Sequence, residues 1–227
     1  MSASQVTGEV TVENLRPPLR QRGVRGLQAD AHLHRSGFPQ FLAVRPHLRR
    51  SLSPTLRGSY DTAGEAWSVS VSGGLAYVAD GQSGLQIIDV SNPTSPQLRG
   101  AYDTPGGANG VFVSGGLAYV ADGQSGLQII DISDPSSPTL RGFYDTPRNA
   151  WDVFVSDGLA YVADEWNGLH IIDVSNPTSP TLRGSCDTPR NAWDVSVSDG
   201  LAYVAGEGSG LWILRYTGPR PAGATRP

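Results

Sequence analysis

The stretch Leu75-Ala-Tyr-Val-Ala-Asp-Gly-Gln-Ser-Gly-Leu-Gln-Ile-Ile-Asp89 decides the fold of this chain. Leu75-Ala-Tyr-Val-Ala79 is a continuous apolar run, which suits a strand buried on both faces. Asp80-Gly-Gln-Ser-Gly84 supplies turn residues of the kind that join two antiparallel strands. Leu85-Gln-Ile-Ile-Asp89 is rich in β-branched residues and reads as the second arm of a hairpin. The same stretch returns with Tyr119 and Tyr161 at the place of Tyr77, and more loosely with Tyr203. The step is 42 residues each time, and Asp61, Asp103, Asp145 and Asp187 keep it too. A fixed period of this size points to a solenoid or a propeller before any other architecture.

Working outward from the hairpin completes the unit. Residues 67–71 alternate apolar and small side chains, giving a first strand, and Ser72-Gly-Gly turns it into the hairpin. Ser91-Asn-Pro-Thr-Ser-Pro96 breaks the ladder, because proline cannot donate to it. Residues 97–102 form a short fourth strand, and Asp103-Thr-Pro105 leads into the next unit. Short antiparallel strands joined in sequence describe a propeller blade. The fold expected is all-β, a β-propeller-type array of four 42-residue, four-stranded blades over residues 51–216. The array closes as a four-blade ring or forms an open arc of a larger ring. Thr55-Leu-Arg-Gly-Ser-Tyr60 has the pattern of a fourth strand but precedes every first strand, and the last unit stops near Leu214 with its third. The offset predicts that residues 55–60 complete the last blade, of their own chain or of a second one meeting it end to end as an eight-blade ring. A fragment of a longer array accounts for the offset equally well.

Composition narrows the classes. The chain has 227 residues, 28 of them glycine and 17 proline, which suits short strands and turns. With 17% charged residues a long solvated helix is excluded, and with one cysteine so are an intrachain disulfide framework and a cysteine-rich zinc site. No apolar stretch is long enough for a membrane-spanning helix. A net charge of −4 gives no support for nucleic-acid binding. Residues 1–50 stand apart, with eight arginines against three acids, while the remaining nine arginines face 18 acids. This segment shows neither a strand alternation of useful length nor an apolar core near Met1 of the kind an export signal needs. It reads as a basic, disordered leader or a mis-assigned start, and residues 217–227 read as a disordered tail.

The repeated motifs also carry a resemblance. Leu85-Gln-Ile-Ile-Asp89 followed by Val-Ser-Asn-Pro, its copies at Leu127 and Leu169, and the Ala-Tyr-Val-Ala-Asp elements at Ala76, Ala118 and Ala160 resemble the LVIVD-repeat proteins. The resemblance covers residues 51–216. It implies a β-propeller of bacterial or archaeal cell-surface or secreted proteins, without a defined enzymatic activity. The fourth unit departs from the pattern, with Gly206 for the hairpin Asp and Arg215 for the motif Asp.

Comparing the units separates shared tasks from individual ones. Asp80, Asp122 and Asp164 recur and are expected to make local Asx-type turns. Calcium would need six to eight oxygen ligands, far more than one Asp per loop offers. Asp89, Asp131 and Asp173 are expected to bond the backbone of the following turn, and Trp67, Trp151 and Trp193 to pack blade against blade, with Asn109 in their place in unit two. His170 stands where Gln86 and Gln128 suggest a polar surface position, and Cys186 stands where Tyr60, Tyr102 and Tyr144 suggest partial burial. Two loops of each unit emerge on one face of a meander, and they diverge in units three and four into Arg148, Asn149, Glu165, Trp166, Arg190 and Asn191. These six are the candidate ligand-binding residues, because loops on a rigid scaffold carry binding function. Their chemistry suits a carbohydrate, a peptide or another protein. No catalytic residue, metal site or cofactor is expected. Asp152 and Asp194 are a carboxylate pair without a nucleophile or histidine beside them in sequence. The function expected is that of a non-enzymatic binding or scaffold propeller. A propeller-class enzyme, lactonase- or lyase-like, and a gene fragment without independent function are the alternatives.

Overall fold

The computed structural model describes residues 54–219 and 221. The expected leader over residues 1–50 lies outside the described residues, as does most of the expected tail. The described chain is built of strands and turns alone. Blade one consists of β1 (Ser68–Ser72), β2 (Leu75–Ala79), β3 (Leu85–Asp89) and β4 (Gln97–Tyr102). Blade two consists of β5 (Gly110–Ser114), β6 (Leu117–Ala121), β7 (Leu127–Asp131) and β8 (Thr139–Tyr144). Blade three consists of β9 (Asp152–Ser156), β10 (Leu159–Ala163), β11 (Leu169–Asp173) and β12 (Thr181–Cys186). Blade four has three strands, β13 (Ala192–Ser198), β14 (Leu201–Gly206) and β15 (Gly210–Leu214). Each sheet is an antiparallel meander in chain order.

The blades stack through the two faces of their middle strands. Side chains alternate across a strand, so Tyr77, Ala79, Leu85 and Ile87 share the rear face of blade one. They pack against Ala108, Val111, Ala118, Val120, Ile130 and Ile132 on the front face of blade two. The pattern repeats between blades two and three, with Leu127 and Ile129 against Val153, Val162 and Ile172. Between blades three and four it joins Leu169 and Ile171 to Val195, Ala202 and Val204. This explains why the motif strands are apolar at every position: one alternation serves the blade behind and the other the blade ahead. The inner strands β1, β5, β9 and β13 lie side by side, and Phe112 and Phe154 meet there with ring centroids 4.8 Å apart.

Residues 55–60 do not complete the last blade of their own chain, one of the two pairings expected of them. They form no strand and do not pair with β15, which has no outer partner strand among the described residues. Their backbone instead runs past blade one as an outer strand would. A Cβ on Gly58 would strike the carbonyl oxygen of Pro93, as one on Gly100 would strike Pro135 and one on Gly142 Pro177. Residues 55–60 therefore hold the place of an outer strand in front of blade one, without inner strands of their own among the described residues. Among the described residues the blades form an open arc: Val69 and Val71 on blade one and Leu211 and Ile213 on blade four, whose counterparts at the internal joints are covered, stay exposed.

Candidate functional site

In blades one and two the loop that enters the blade is fastened by that blade's own hairpin aspartate. Asp122 accepts the Thr104 hydroxyl at 2.5 Å and the Gly106 amide at 2.8 Å. Asp80 does the same for Thr62 and Gly64. Both aspartates are fully buried. The expected local Asx turn is thus corrected: the carboxylate reaches a loop 16 to 18 residues upstream. The hairpin then extends the joint to the next blade, since Gly81 bridges to Ala108 and Gly123 to Ala150. Both loop types consequently lie together on one face. On the opposite face Asp89, Asp131 and Asp173 accept the amide and hydroxyl of Ser91, Ser133 and Ser175. Those bonds hold Asp89 and Asp131 below the usual carboxylate range.

Two concavities open on the loop face. The larger, about 470 Å³, is lined by residues including Gln82, Gly106, Asn109, Gln124, Ser125 and Trp151. It exists because unit two carries Asn109 where the other units carry Trp, and because Gly106-Gly107 adds no side chains. Asn109 Nδ2 donates to the Ala150 carbonyl at 3.0 Å, which holds the amide at the groove wall. Trp151 forms another wall and stands edge-on to Trp193, their centroids 4.4 Å apart. Packing between these two crosses blades as expected, whereas Trp67 is exposed.

The smaller concavity, about 240 Å³, is lined by Gln124, Thr146, Pro147, Arg148, Asn149 and Glu165. It brings together three of the six candidate residues. Asn149 Nδ2 donates to Glu165 at 2.9 Å, and Trp166 Nε1 donates to the other carboxylate oxygen at 3.1 Å. Glu165 has φ +50°, at a hairpin position that is glycine in blades one and two. A bulky residue held in the left-handed region is strained, and such strain concentrates at functional loops. Arg190 and Asn191 line neither concavity. They lie in the unit-four loop, where Ala192 donates its amide to the Glu165 carbonyl. Gln82, Asn109, Gln124, Ser125 and Trp151 are absent from the sequence-based candidates, and the break in the Trp column at Asn109 is the signal that marks them.

Blade three differs beneath its loops. Thr146 turns its hydroxyl to the Arg148 carbonyl at 3.2 Å, so that Asp164 is held less closely by Thr146 and the Arg148 amide than Asp122 is by Thr104 and Gly106. His170 fills the space with Nδ1 3.5 Å from Asp164. His170 is buried, not a surface residue, because the third-strand position beside the hairpin points inward; Gln128 is buried there as well. Burial pushes the Asp164 carboxyl up and the His170 imidazole down from their ordinary values. Cys186 is exposed, contrary to the partial burial its tyrosine counterparts suggested.

Asp152 sits on the inner strand of blade three and accepts the Val195 amide of blade four at 3.0 Å. Burial, with a smaller contribution from the charge of Asp194, raises its pKa to about 6. The folded protein therefore holds this proton more tightly than the unfolded chain, and stability falls as pH rises from about 4 to about 6. Asp152→Asn keeps the acceptor and removes the charge. It should stabilise the protein at pH 7 by ~2 kcal/mol and have no effect at pH 3.5, as thermal melts at the two values would show. An equal effect at both would mean that ionisation of Asp152 is not the cause.

Sequential antiparallel blades joined face to face, with both kinds of connecting loop gathered on one side, define the class as propeller-type repeat proteins. The LVIVD repeat matches four times in succession, over residues 63–104, 105–146, 147–188 and 189–214. The chain belongs to the LVIVD repeat family. No curated protein matches it significantly in sequence. Among solved structures it is similar to the computationally designed Ika4 protein, with a TM-score of 0.59 at 7% identity over 72% of this chain and 99% of that one. It is also similar to the computationally designed Ika8 protein, with a TM-score of 0.56 at 7% identity over 66% of this chain and 46% of that one, so it spans about half of Ika8. At such identities the likeness is one of fold. No helix among the described residues is long and apolar enough to cross a membrane.

Proposed function

We propose that this chain is a non-enzymatic binding or scaffold module of the cell-surface or secreted type, and that its ligand lies on the loop face. The observation that supports this most is the amide-lined groove between Gln82, Asn109 and Gln124, walled by Trp151. Side-chain amides both donate and accept, and an indole offers a flat apolar surface, which together suit a carbohydrate or an extended peptide. The neighbouring Arg148, Asn149 and Glu165 add charge at one end, with Trp166 beside them. A partner that spans both concavities would touch loops of three blades, an arrangement rigid enough to act as a scaffold.

A propeller-class enzyme is the second reading, favoured by the raised Asp152 beside Asp194. A carboxyl poised near neutral pH suits acid–base chemistry. The Asp152 carboxylate is, however, occupied in fastening blade four through the Val195 amide.

Glycan and peptide arrays probed with the full chain test the binding reading. Asn109→Trp places in unit two the residue that units one, three and four already carry, so the fold accommodates it while the groove fills. It should abolish binding and leave the melting temperature nearly unchanged. Replacing Arg148, Trp166 and Arg190 together with alanine should weaken binding by roughly tenfold or more, as expected when charged and aromatic anchors are truncated. A ligand that maps to the opposite face, around the turns at Asn92 and Asn176, would contradict the assignment.

A further inference from the structure

We propose that two copies of this chain associate head to tail. The rear face of blade four in one copy packs on the front face of blade one in the other, and residues 55–60 of the partner complete blade four as its outer strand. Residues equivalent in all four blades differ in exposure at the ends of the array. Leu85, Leu127 and Leu169 are fully buried, and Ile87, Ile129 and Ile171 are at most 8% exposed, each covered by the blade behind. Their counterparts on blade four, Leu211 and Ile213, are 62% and 57% exposed. The same face carries Ala205, exposed, and Tyr203, half-buried. At the other end, Val69 and Val71 are 61% and 65% exposed, whereas Val111, Val153 and Val195 at the place of Val69 are buried.

The occupant of each end face follows from the joints already in the molecule. What covers Leu85 and Ile87 is a front face of the type Val111, Ala118, Val120 and Ile130. Blade one carries that set as Val69, Ala76, Val78 and Ile88: Val69 is exposed, the other three are buried as a small cluster of their own with Val90 against it, and no blade of the described residues stands in front of them. A second copy therefore presents the complement that three internal joints already use.

The outer strands supply an independent line. Among the described residues blade four has no fourth strand and the edge of β15 is unpaired, the kind of edge that natural proteins cover. Residues 55–60 occupy the position of an outer strand ahead of blade one, with Gly58 against Pro93 and no inner strand beside them among the described residues. Blade four of the partner fills the vacant inner positions. By the register of β3 with β4, Tyr60 then lies opposite the partner's Leu211, Gly58 opposite the partner's Ile213, and Leu56 opposite the partner's Leu214. Leu56 is 86% exposed in the single chain, against 49% for its counterpart Leu98. The interface is heterologous, and two identical joints close two four-blade arcs into a ring of eight.

Sedimentation equilibrium of the full chain at micromolar concentration should give twice the 24.0 kDa chain mass. Ile213→Asp, exposed in the single chain and so compatible with folding, should raise the dissociation constant roughly 100-fold, as a charge buried in an apolar joint demands. The double variant Val69→Asp and Val71→Asp should do the same. Mixing these two variants leaves one intact joint and should restore a dimer that neither forms alone. Hydrogen exchange at residues 55–60 should slow as concentration rises and remain fast in Ile213→Asp. A monomer at tens of micromolar would overturn the proposal. Dimerisation of the Val69/Val71 variant alone would show a tail-to-tail joint and overturn it as well, and assemblies larger than a dimer would overturn the count of two.

Discussion

Replacing Gly142 with alanine should lower the melting temperature by roughly 6–12 °C, whereas the same change at Gly184 should leave it almost untouched. Both glycines occupy the same place in the outer strand, in β8 and β12. Neither needs the left-handed backbone that glycine alone tolerates, so backbone strain does not distinguish them. The difference lies in what faces them. A Cβ on Gly142 would strike the carbonyl oxygen of Pro177 in the next blade, and Thr178 Cα stands 3.2 Å away. A Cβ on Gly184 would meet nothing nearer than the Tyr216 ring at 3.7 Å, an ordinary contact. Backbone cannot step aside as a side chain can, so β8 must pull away from blade three, at about 2–4 kcal/mol. At Gly184 the smaller entropy of the unfolded alanine chain offsets any cost. Equal losses at the two positions would show that the glycines serve the strand rather than the joint.

The second large effect is expected at Asp122. Asp122→Ala leaves the Thr104 hydroxyl and the Gly106 amide without their acceptor in a buried place. Each buried donor left unmade costs about 1–3 kcal/mol, so a total of ~3 kcal/mol is expected from denaturant unfolding. Asp122→Asn should fall between the two, because its amide oxygen still accepts from one donor while its NH2 faces the other. The loss should also surface locally. The loop from Thr104 to Gly107 should exchange its amide hydrogens faster in Asp122→Ala, while the strands of blade four should not. Uniform acceleration across the blades would instead mean that the array unfolds as one unit, against the expectation that stacked repeats couple only to their neighbours.

The strands were legible because a 42-residue period writes the same pattern several times, so that Leu75-Ala-Tyr-Val-Ala79 and its copies confirm each other. The gathering of two loop types on one face was legible from the meander. The role of Asp80 and Asp122 was not, because their partners lie in a loop 16 to 18 residues earlier and the local turn gave a sufficient account. The recurrence of Thr62, Thr104 and Thr146 ahead of those aspartates held the clue. The burial of His170 was hidden because glutamine normally marks a surface, whereas Gln128 is enclosed. The candidate residues of unit three fall beside one another, while Arg190 and Asn191 stand apart from both grooves. The larger groove was missed because the reading favoured loops where side chains had been gained, and this groove comes from a side chain that is smaller. For residues 55–60 the strand pattern was visible, but a strand exists only beside a partner, and within the described residues they have none.

The stacking joint has a consequence for how such a chain changes in length. Because each rear face meets a front face of the same composition, any whole number of 42-residue units can be cut out or copied in without creating a mismatched seam. Unequal crossing-over between near-identical repeats would thus yield products that pack at every internal junction. What such events cannot leave unchanged is the circumference: each added or lost unit alters the angle the arc subtends. Selection on these genes then acts on the number of units that a complete circle accepts as well as on the loops of each one.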